Sequence, residues 1–585
     1  MRRHLPSFTC CFFIGLFCVA LFLSLQIHSK IRRFDWQSEI YSDGAGYYAY
    51  LPVTFLYRFD YNKFPAGIND STGYQFIDHD GKKMVTKYGC GVALMVSPFF
   101  GGTVLYSHLA GLPLEGGFST AFFRMADAAG VFYLVVGLFF IFQVLKRYTG
   151  KLVRYLSVIF IFAGTNLYFY TFRQPLMSHV YSFCAISLYL YAIHLFLEKG
   201  SWRSFMLVAF SASLSMLIRP VNGTILLLLL FWNVDSFRAL KDRLRVLFTW
   251  RNIATFAIIF FLVFLPQMLY WNYMFGEPIH YSYQGESFSN WNDPKLAEIW
   301  FSPLNGLFIW NPVWFVFIAG VLLMIILRER NGILLLVFFL LTSYIIASWH
   351  SWYFGCGFGH RAFVDFLPLV AIPFGLITEK VVRIRTRIPG VLMILLLSAM
   401  SYYNIRIIYH YSGCFSGSVW DWEMYRYYLR NAKLIQKQRP VYVYLNDFEN
   451  GAVVVNSYGT NLLHRSYNSS IILSNEYKTG GSDPLYFFSF ALPFPTHADA
   501  RVYVNVPGGS TSGGQMFCLI EKNGQILWSD SCQIDPFISN ARGWCKVYKD
   551  FTFPGDMPWD ATISVILKNP GGRLFFADDL KIVFY

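Results

Sequence analysis

Charge is scarce in this sequence. Of 585 residues, only 14% are Asp, Glu, Lys or Arg, where a soluble globular protein carries about 25%. That excludes an ordinary water-soluble enzyme, a disordered chain and a coiled coil. Cysteine is also sparse, with 10 in the whole chain, too few for a disulfide scaffold. There is no G-x-x-x-x-G-K-[ST] loop for nucleotide, no C-x-x-C pair with zinc spacing, no H-E-x-x-H and no internal repeat. His79, flanked by Asp78 and Asp80, reads as part of a turn ending at Gly81 rather than as a metal ligand. What abounds is apolar surface: 55% of residues are hydrophobic, 20% are aromatic and the mean hydropathy is +0.40. The net charge of +14 invites a nucleic-acid reading. Its location decides against that, because the basic residues sit in short clusters between apolar runs, as topology determinants do.

A helix needs roughly 20 apolar residues to cross a bilayer core of about 30 Å. Such runs recur near 8–27, 119–145, 152–172, 178–197, 204–219, 221–237, 253–275, 308–327, 332–349, 362–378 and 389–408, eleven in all. The first begins Met1-Arg2-Arg3, but no small-x-small cleavage site follows, so it reads as an uncleaved anchor. Lys146, Arg147, Lys151 and Arg154 lie between the second and third runs, and Lys199 and Arg203 follow the fourth. Arg238, Lys241, Arg243, Arg245 and Arg251 follow the sixth, Arg328 and Arg330 the eighth, and Lys380, Arg383, Arg385 and Arg387 the tenth. The alternate loops hold one basic residue each: Arg173, Arg219, Lys295 and Arg361. The positive-inside rule then puts the N-terminus inside and the C-terminus outside. A further apolar run, 90–109, would invert this scheme if it crossed. Interrupted by Pro98, Gly101 and Gly102, it is expected to be re-entrant or surface-lying on the outer face.

The expected fold is therefore a polytopic α-helical membrane domain over residues 1–408, with a long first outer loop at 28–118. A membrane-proximal helical linker follows at 409–439, then an extracytoplasmic all-β sandwich at 440–585. The β assignment rests on short runs such as R-V-Y-V-N-V and A-T-I-S-V-I-L, separated by Pro507-Gly508-Gly509, Asn523-Gly524 and Pro570-Gly571-Gly572. Cys518, Cys532 and Cys545 leave room for one disulfide there, and Cys414 is a further partner for it.

The unusual polar and glycine motifs gather outside, where no charge rule requires them. In S-D-G-A-G-Y-Y-A-Y-L-P, at 42–52, Asp43 reads either as a carboxylate at the membrane boundary that can accept a proton from an attacking hydroxyl or as a solvated or helix-capping loop residue. Tyr47 and Tyr48 beside it read either as belt residues or as the wall of a substrate cavity. Lys87, entering the 90–109 run with Tyr88, offers a point charge for a lipid-linked phosphate, or merely snorkels. Arg361 stands beside His360 in a glycine-rich loop and suits phosphate, unless it only pairs with Asp365 at i+4 on a shared helix face. Arg173, His179, His280 and Glu286 are weaker candidates on the same side, more readily read as structural.

These residues resemble the GT-C glycosyltransferase superfamily, the multispanning enzymes that include protein O-mannosyltransferases and lipid A aminoarabinose transferases. The resemblance covers about 30–410. It rests on Asp43 in the first outer loop, on Lys87-Tyr88-Gly89-Cys90-Gly91, and on the runs S-P-x-x-G-L-F-x-W-x-P at 302–312 and G-x-G-H-R-A-F-V-D-F-L-P at 357–368. It implies an enzyme of a bacterial inner membrane that moves a sugar from a polyprenyl-phosphate donor to a glycan, lipid or protein acceptor outside the cytoplasm, with inversion. Asp43 would be the general base or acceptor-orienting carboxylate. Lys87 and Arg361 would hold the donor phosphate, assisted by Arg173 or His360, with Tyr47, Tyr48, Tyr88, His280 and Glu286 around the substrate. No cofactor is required by this reading; a divalent cation is left open, as is the second acidic partner, since only Asp35 and Glu39 lie upstream. The stretch from Trp544 to Ile582 resembles the closing part of jelly-roll carbohydrate-binding modules. Two other classes compete: a transporter or flippase, which would want mid-membrane charges where only Arg124 and Asp127 stand out, and a non-catalytic envelope assembly protein that binds through the β domain.

Overall fold

The computed structural model describes residues 7–411, apart from 30, 32, 35–36, 66, 74–76, 80–82, 284–285 and 356, and beyond them a few positions between 422 and 429 and a set of strands and adjoining residues between 442 and 584. The proposed linker helix at 409–439, Asp35 and Cys414 lie almost wholly outside the described residues. The chain divides into two compact units, Met1–Ile408 and Tyr409–Tyr585.

The first unit is helical. Seven of its described helical segments are long and apolar enough to cross a bilayer: Phe8–His28, Gly91–Leu109, Glu115–Leu145, Ser178–Lys199, Trp250–Phe275, Arg361–Val382 and Ile388–Tyr409. Shorter apolar helices, Trp202–Ile218, Pro220–Phe231, Val313–Ile326 and Gly332–Ala347, complete the bundle. Ser178–Lys199 runs through its middle and is 78% buried over its most apolar window, whereas Trp250–Phe275 is 11% buried. Along the latter, Ile258, Phe261, Leu262 and Leu269 are half or more exposed. Such a continuous apolar surface is unstable in water and at home in lipid. This is a multi-pass membrane domain.

Several expected runs differ in detail. Residues 152–172 form two helices, Lys151–Ala163 and Leu167–Phe172, because Gly164 ends the first. Leu307–Trp310 is separated from Val313–Ile326 at Asn311-Pro312, where the proline removes an N–H from the ladder. The basic cluster after the sixth run is itself an amphipathic helix, Phe237–Leu247. From it Arg243 donates to the carbonyls of Leu229 (2.7 Å) and Trp232 (3.1 Å), satisfying the open end of the preceding helix.

The run at 90–109 is not broken. Gly91–Leu109 is one continuous helix of 19 residues with Pro98 inside it. The segments flanking it are both held by tyrosines of the first loop. At its start, Tyr50 donates to the Tyr88 carbonyl at 2.5 Å. Just past its end, Tyr48 donates to the Gly117 carbonyl at 2.6 Å, and Tyr57 bonds to the carbonyl of Gly116. Tyr88 and Gly117, the latter eight residues past Leu109, are thus both tied to the short stretch 48–57, and the helix is itself long enough to cross a bilayer.

The second unit consists of antiparallel strands in two sheets. One holds Cys545–Thr552, His497–Asn505 and Phe575–Phe584 side by side, with Tyr442–Asn446, Ser470–Leu473 and Tyr458–Thr460 extending it. The other runs Tyr486–Ser489, Thr562–Lys568, Gln515–Lys522, Gln525–Gln533. Period-2 alternation sends Val502 and Val504 from the first sheet, and Met516, Ile520, Ile563 and Val565 from the second, into one shared core. Cys518 and Cys532 carry free thiols, so the disulfide considered from sequence does not join them.

Candidate active site

The loops that carry few basic residues converge on one cavity of about 340 Å³ in the helical unit, within the range of small-ligand sites of about 300–1,000 Å³. Asp43, Tyr47, Lys87, Tyr88, Glu286 and Arg361 all line it. With His179, seven of the eleven residues singled out from sequence are thus brought together, from five distant stretches of chain.

Asp43 lies in the first turn of a short helix, Ser42–Tyr48, entered through a left-handed Ser42 (φ 50°). Strained backbone of this kind costs about 1–3 kcal/mol and clusters at functional sites. Asp43 and Tyr47, at i and i+4, share the face toward the cavity. Tyr48 is rotated about 100° further round the helix and faces away, buried, on Gly117.

Two donors hold the Asp43 carboxylate. Tyr88 donates its hydroxyl to Oδ1 at 2.7 Å, and Arg361 Nη2 sits 3.1 Å from Oδ2. Burial alone would push the Asp43 carboxyl up. Arg361, then the Tyr88 hydroxyl, then Lys87 outweigh it, and the net result lies below the ordinary 3.8. The site therefore holds a fixed negative charge. Gly46 makes the Tyr88 contact possible: a Cβ there would lie 2.4 Å from the Tyr88 ring. The glycines of Lys87-Tyr88-Gly89-Cys90-Gly91 serve a similar close approach. A Cβ on Gly89 would meet the Leu217 carbonyl at 2.5 Å, and one on Gly91 the Ile218 nitrogen at 2.6 Å. This draws Lys87 toward the end of the helix that precedes Arg219.

Arg361 does not pair with Asp365, as its i,i+4 spacing allowed. Arg361–Phe366 is a 3-10 helix, in which i+3 rather than i+4 lies on the same face. Asp365 turns inward, fully buried, and takes Arg219 Nη1 at 3.0 Å on Oδ2 and His179 Nδ1 at 2.8 Å on Oδ1. Arg219 and His179 both line the cavity. The guanidiniums of Arg219 and Arg361 lie 5.9 and 6.0 Å from the centre of one ring, that of Phe354, and both line the cavity. Lys87 completes the cationic rim, 2.6 Å from Glu286. At rest each cation faces a carboxylate, but guanidinium and ammonium groups carry donors beyond those used, and these side chains keep 16–27% exposure.

Three further sequence candidates lie off this wall. His360 is buried with Nε2 2.9 Å from the Trp352 carbonyl, and burial pushes its imidazole down to about 3. A neutral, enclosed ring of this kind does not serve a phosphate. Arg173 closes the helix Leu167–Phe172 and reaches Gln37 instead, at 3.4 Å. His280 stacks on Phe275 with ring centres 3.8 Å apart, near Glu277. One group was missed: Arg219 enters from sequence only as a topology marker, although a lone basic residue in a short loop before Pro220 is a usable signal. His179, a weaker sequence candidate, does line the cavity.

Among the described residues a cluster of the kind that could hold a metal ion occurs elsewhere: His28, Glu39 and Asp127, with donor atoms within 4.8 Å of one another. Arg124 already places a cation there, 3.1 Å from Glu39 and 3.6 Å from Asp127, and His28 Nδ1 lies 2.6 Å from Asp127. This network ties the anchor helix Phe8–His28 to the first loop, and it accounts for Glu39 without a role beside Asp43.

No family model matches the chain, and no curated protein matches it. Among solved structures it is distantly similar to the crystal structure of ArnT from Cupriavidus metallidurans bound to undecaprenyl phosphate. The TM-score is 0.43 at 13% identity, over 72% of this chain and 68% of that one.

Proposed function

We propose that this protein is a membrane glycosyltransferase of the GT-C type that moves a sugar from a polyprenyl-phosphate donor to an acceptor on the outer face of a bacterial inner membrane, with inversion. The observation that carries the reading is the juxtaposition of the Asp43 carboxylate with Arg361, Arg219 and Lys87 in one cavity that also has apolar lining. A departing phosphate next to lipid needs preplaced positive charge, and removing one such donor typically costs about 2.7–4 kcal/mol of transition-state stabilisation. Arg361, Arg219 and Lys87 fit that need. The carboxylate fits the opposite one: it meets the acceptor's hydroxyl or amine as a hydrogen-bond acceptor. Apolar neighbours such as Val221, Ile345 and Ile346 suit the first isoprene units of a lipid tail. Every loop contributing to the cavity is one that the Lys and Arg counts assign to the outside, which supports an outward-facing site.

The test uses the purified full-length protein in vesicles with a radiolabelled polyprenyl-phosphate sugar. Loss of label from the lipid fraction, dependent on Asp43, is expected. Absence of both donor consumption and donor binding, across hexosyl and pentosyl donors, would overturn the reading.

A further inference from the structure

Deepening the proposed transferase reading and resting on it, we infer that His179, rather than Asp43, takes the proton from the acceptor. The argument starts with lone pairs. Both Asp43 oxygens already receive a donor, Tyr88 on one and Arg361 on the other. A carboxylate so held retains capacity to orient an incoming X–H, since it offers about four acceptor positions. Its appetite for a full proton is reduced by the same two donors. Glu286 is likewise engaged, by Lys87.

His179 is built differently. It opens the central helix Ser178–Lys199, directly after the loop that reaches the cavity, and lines the same cavity as Asp43. Its Nδ1 faces Asp365 Oδ1 at 2.8 Å. Asp365 in turn is fixed by Arg219, which donates to its other oxygen at 3.0 Å, leaving Oδ1 to accept from Nδ1–H. That sets the tautomer: the lone pair is on Nε2. The Tyr170 ring, 4.7 Å away centre to centre, limits rotation of the imidazole. An imidazole backed by a buried carboxylate is the arrangement that carries a proton in hydrolytic triads, where the carboxylate orients the ring and stabilises the imidazolium. Asp365, Arg219, Arg361, Asp43, His360 and Tyr170 are the polar and charged groups around it. The two guanidiniums oppose a charged ring until donor phosphate neutralises them. The base is thereby coupled to donor occupancy.

The step balances as follows. The acceptor oxygen or nitrogen forms a bond to the anomeric carbon, and the bond from that carbon to the phosphate oxygen breaks. The phosphate leaves with the bonding pair, facing Arg361. The acceptor's proton passes to His179 Nε2 and from there to water.

The experiment compares wild type with His179→Ala and His179→Gln in vesicles, using radiolabelled polyprenyl-phosphate sugar. Transfer by both variants should fall by about 100-fold or more, with donor affinity kept, and excess free imidazole should restore part of the rate in the alanine variant but not in the glutamine one. The acidic limb of the wild-type pH profile should vanish with the ring. Wild-type-like transfer in either variant, or a loss that imidazole leaves untouched in the alanine variant, overturns the inference. If wild type itself consumes no donor, the transferase reading fails instead, and the two failures are told apart by that control.

Discussion

Arg361 sits 3.1 Å from Asp43, although the nearest carboxylate to it in sequence is Asp365. The pairing joins the loop after the first apolar run to the loop before the tenth. It leaves one anionic and one cationic group side by side on the wall of the cavity. Replacing Asp43 by Asn removes the charge and keeps the shape. Sugar transfer by Asp43→Asn should drop by about 100-fold, as expected for losing the group that orients the acceptor, with expression and membrane insertion unchanged. The measurement is label transferred per unit of folded protein, and full activity in the variant would discard any role for the carboxylate.

Charge and fork geometry separate at Arg361. A guanidinium can keep Asp43 and still offer donors to phosphate, whereas an ammonium is a single compact charge. Arg361→Ala should weaken donor binding by about 10–100-fold, the range of a lost charge-assisted hydrogen bond of about 1.5–3 kcal/mol. Arg361→Lys should fall between that variant and wild type. Titration with a fluorescent polyprenyl phosphate gives all three affinities, and identical values would remove the phosphate role.

Much of the site was legible in the sequence because sidedness is written in Lys and Arg counts. Loops at 28–118, 173–178, 219 and 350–361, placed on one face by those counts, do meet in one cavity. What the counts do not encode is which way a side chain turns. Tyr47 and Tyr48 are neighbours in sequence, yet one lines the cavity and the other bonds to Gly117. His360 and Arg361 likewise part company, the ring inward and the guanidinium outward. The Asp365 partners, Arg219 and His179, come from two other helix ends, so their pairing with Asp365 leaves no local pattern to read. Continuous apolar length was misleading in both directions: Pro98 does not break its helix, while Gly164 and Pro312 delimit theirs.

Gly46 offers a test of positioning without touching a charge. Its added Cβ would fall 2.4 Å from the Tyr88 ring, a distance that forces the ring to move. Gly46→Ala should therefore pull the Tyr88 hydroxyl off Asp43. Overpacking of this kind costs about 1–3 kcal/mol, so a modest fall in thermal stability should accompany a larger fall in transfer. Tyr88→Phe, which deletes the same hydrogen bond without crowding, should reproduce the activity loss but not the stability loss. Equal activity in Gly46→Ala and wild type would show that the Tyr88 contact is dispensable.

The pH dependence of stability follows from the same pair. The folded Asp43 carboxyl lies below the ordinary 3.8, chiefly because Arg361 outweighs burial. A depressed folded value means that the unfolded chain binds the proton more readily. The pair thus contributes stability above the unfolded value and loses it as pH falls through the lower folded one. The gap in melting temperature between wild type and Asp43→Asn should be constant from about pH 5 to pH 8 and close only below about pH 4. In an Arg361→Ala background the burial penalty is no longer opposed by its largest counterweight, so the carboxyl should rise. The gap should then change sign or vanish, and what remains should vary at higher pH than in wild type. Melting curves in detergent across that range measure both effects. A wild-type gap that already fades near neutrality would mean that Arg361 does not hold the Asp43 charge in the folded protein.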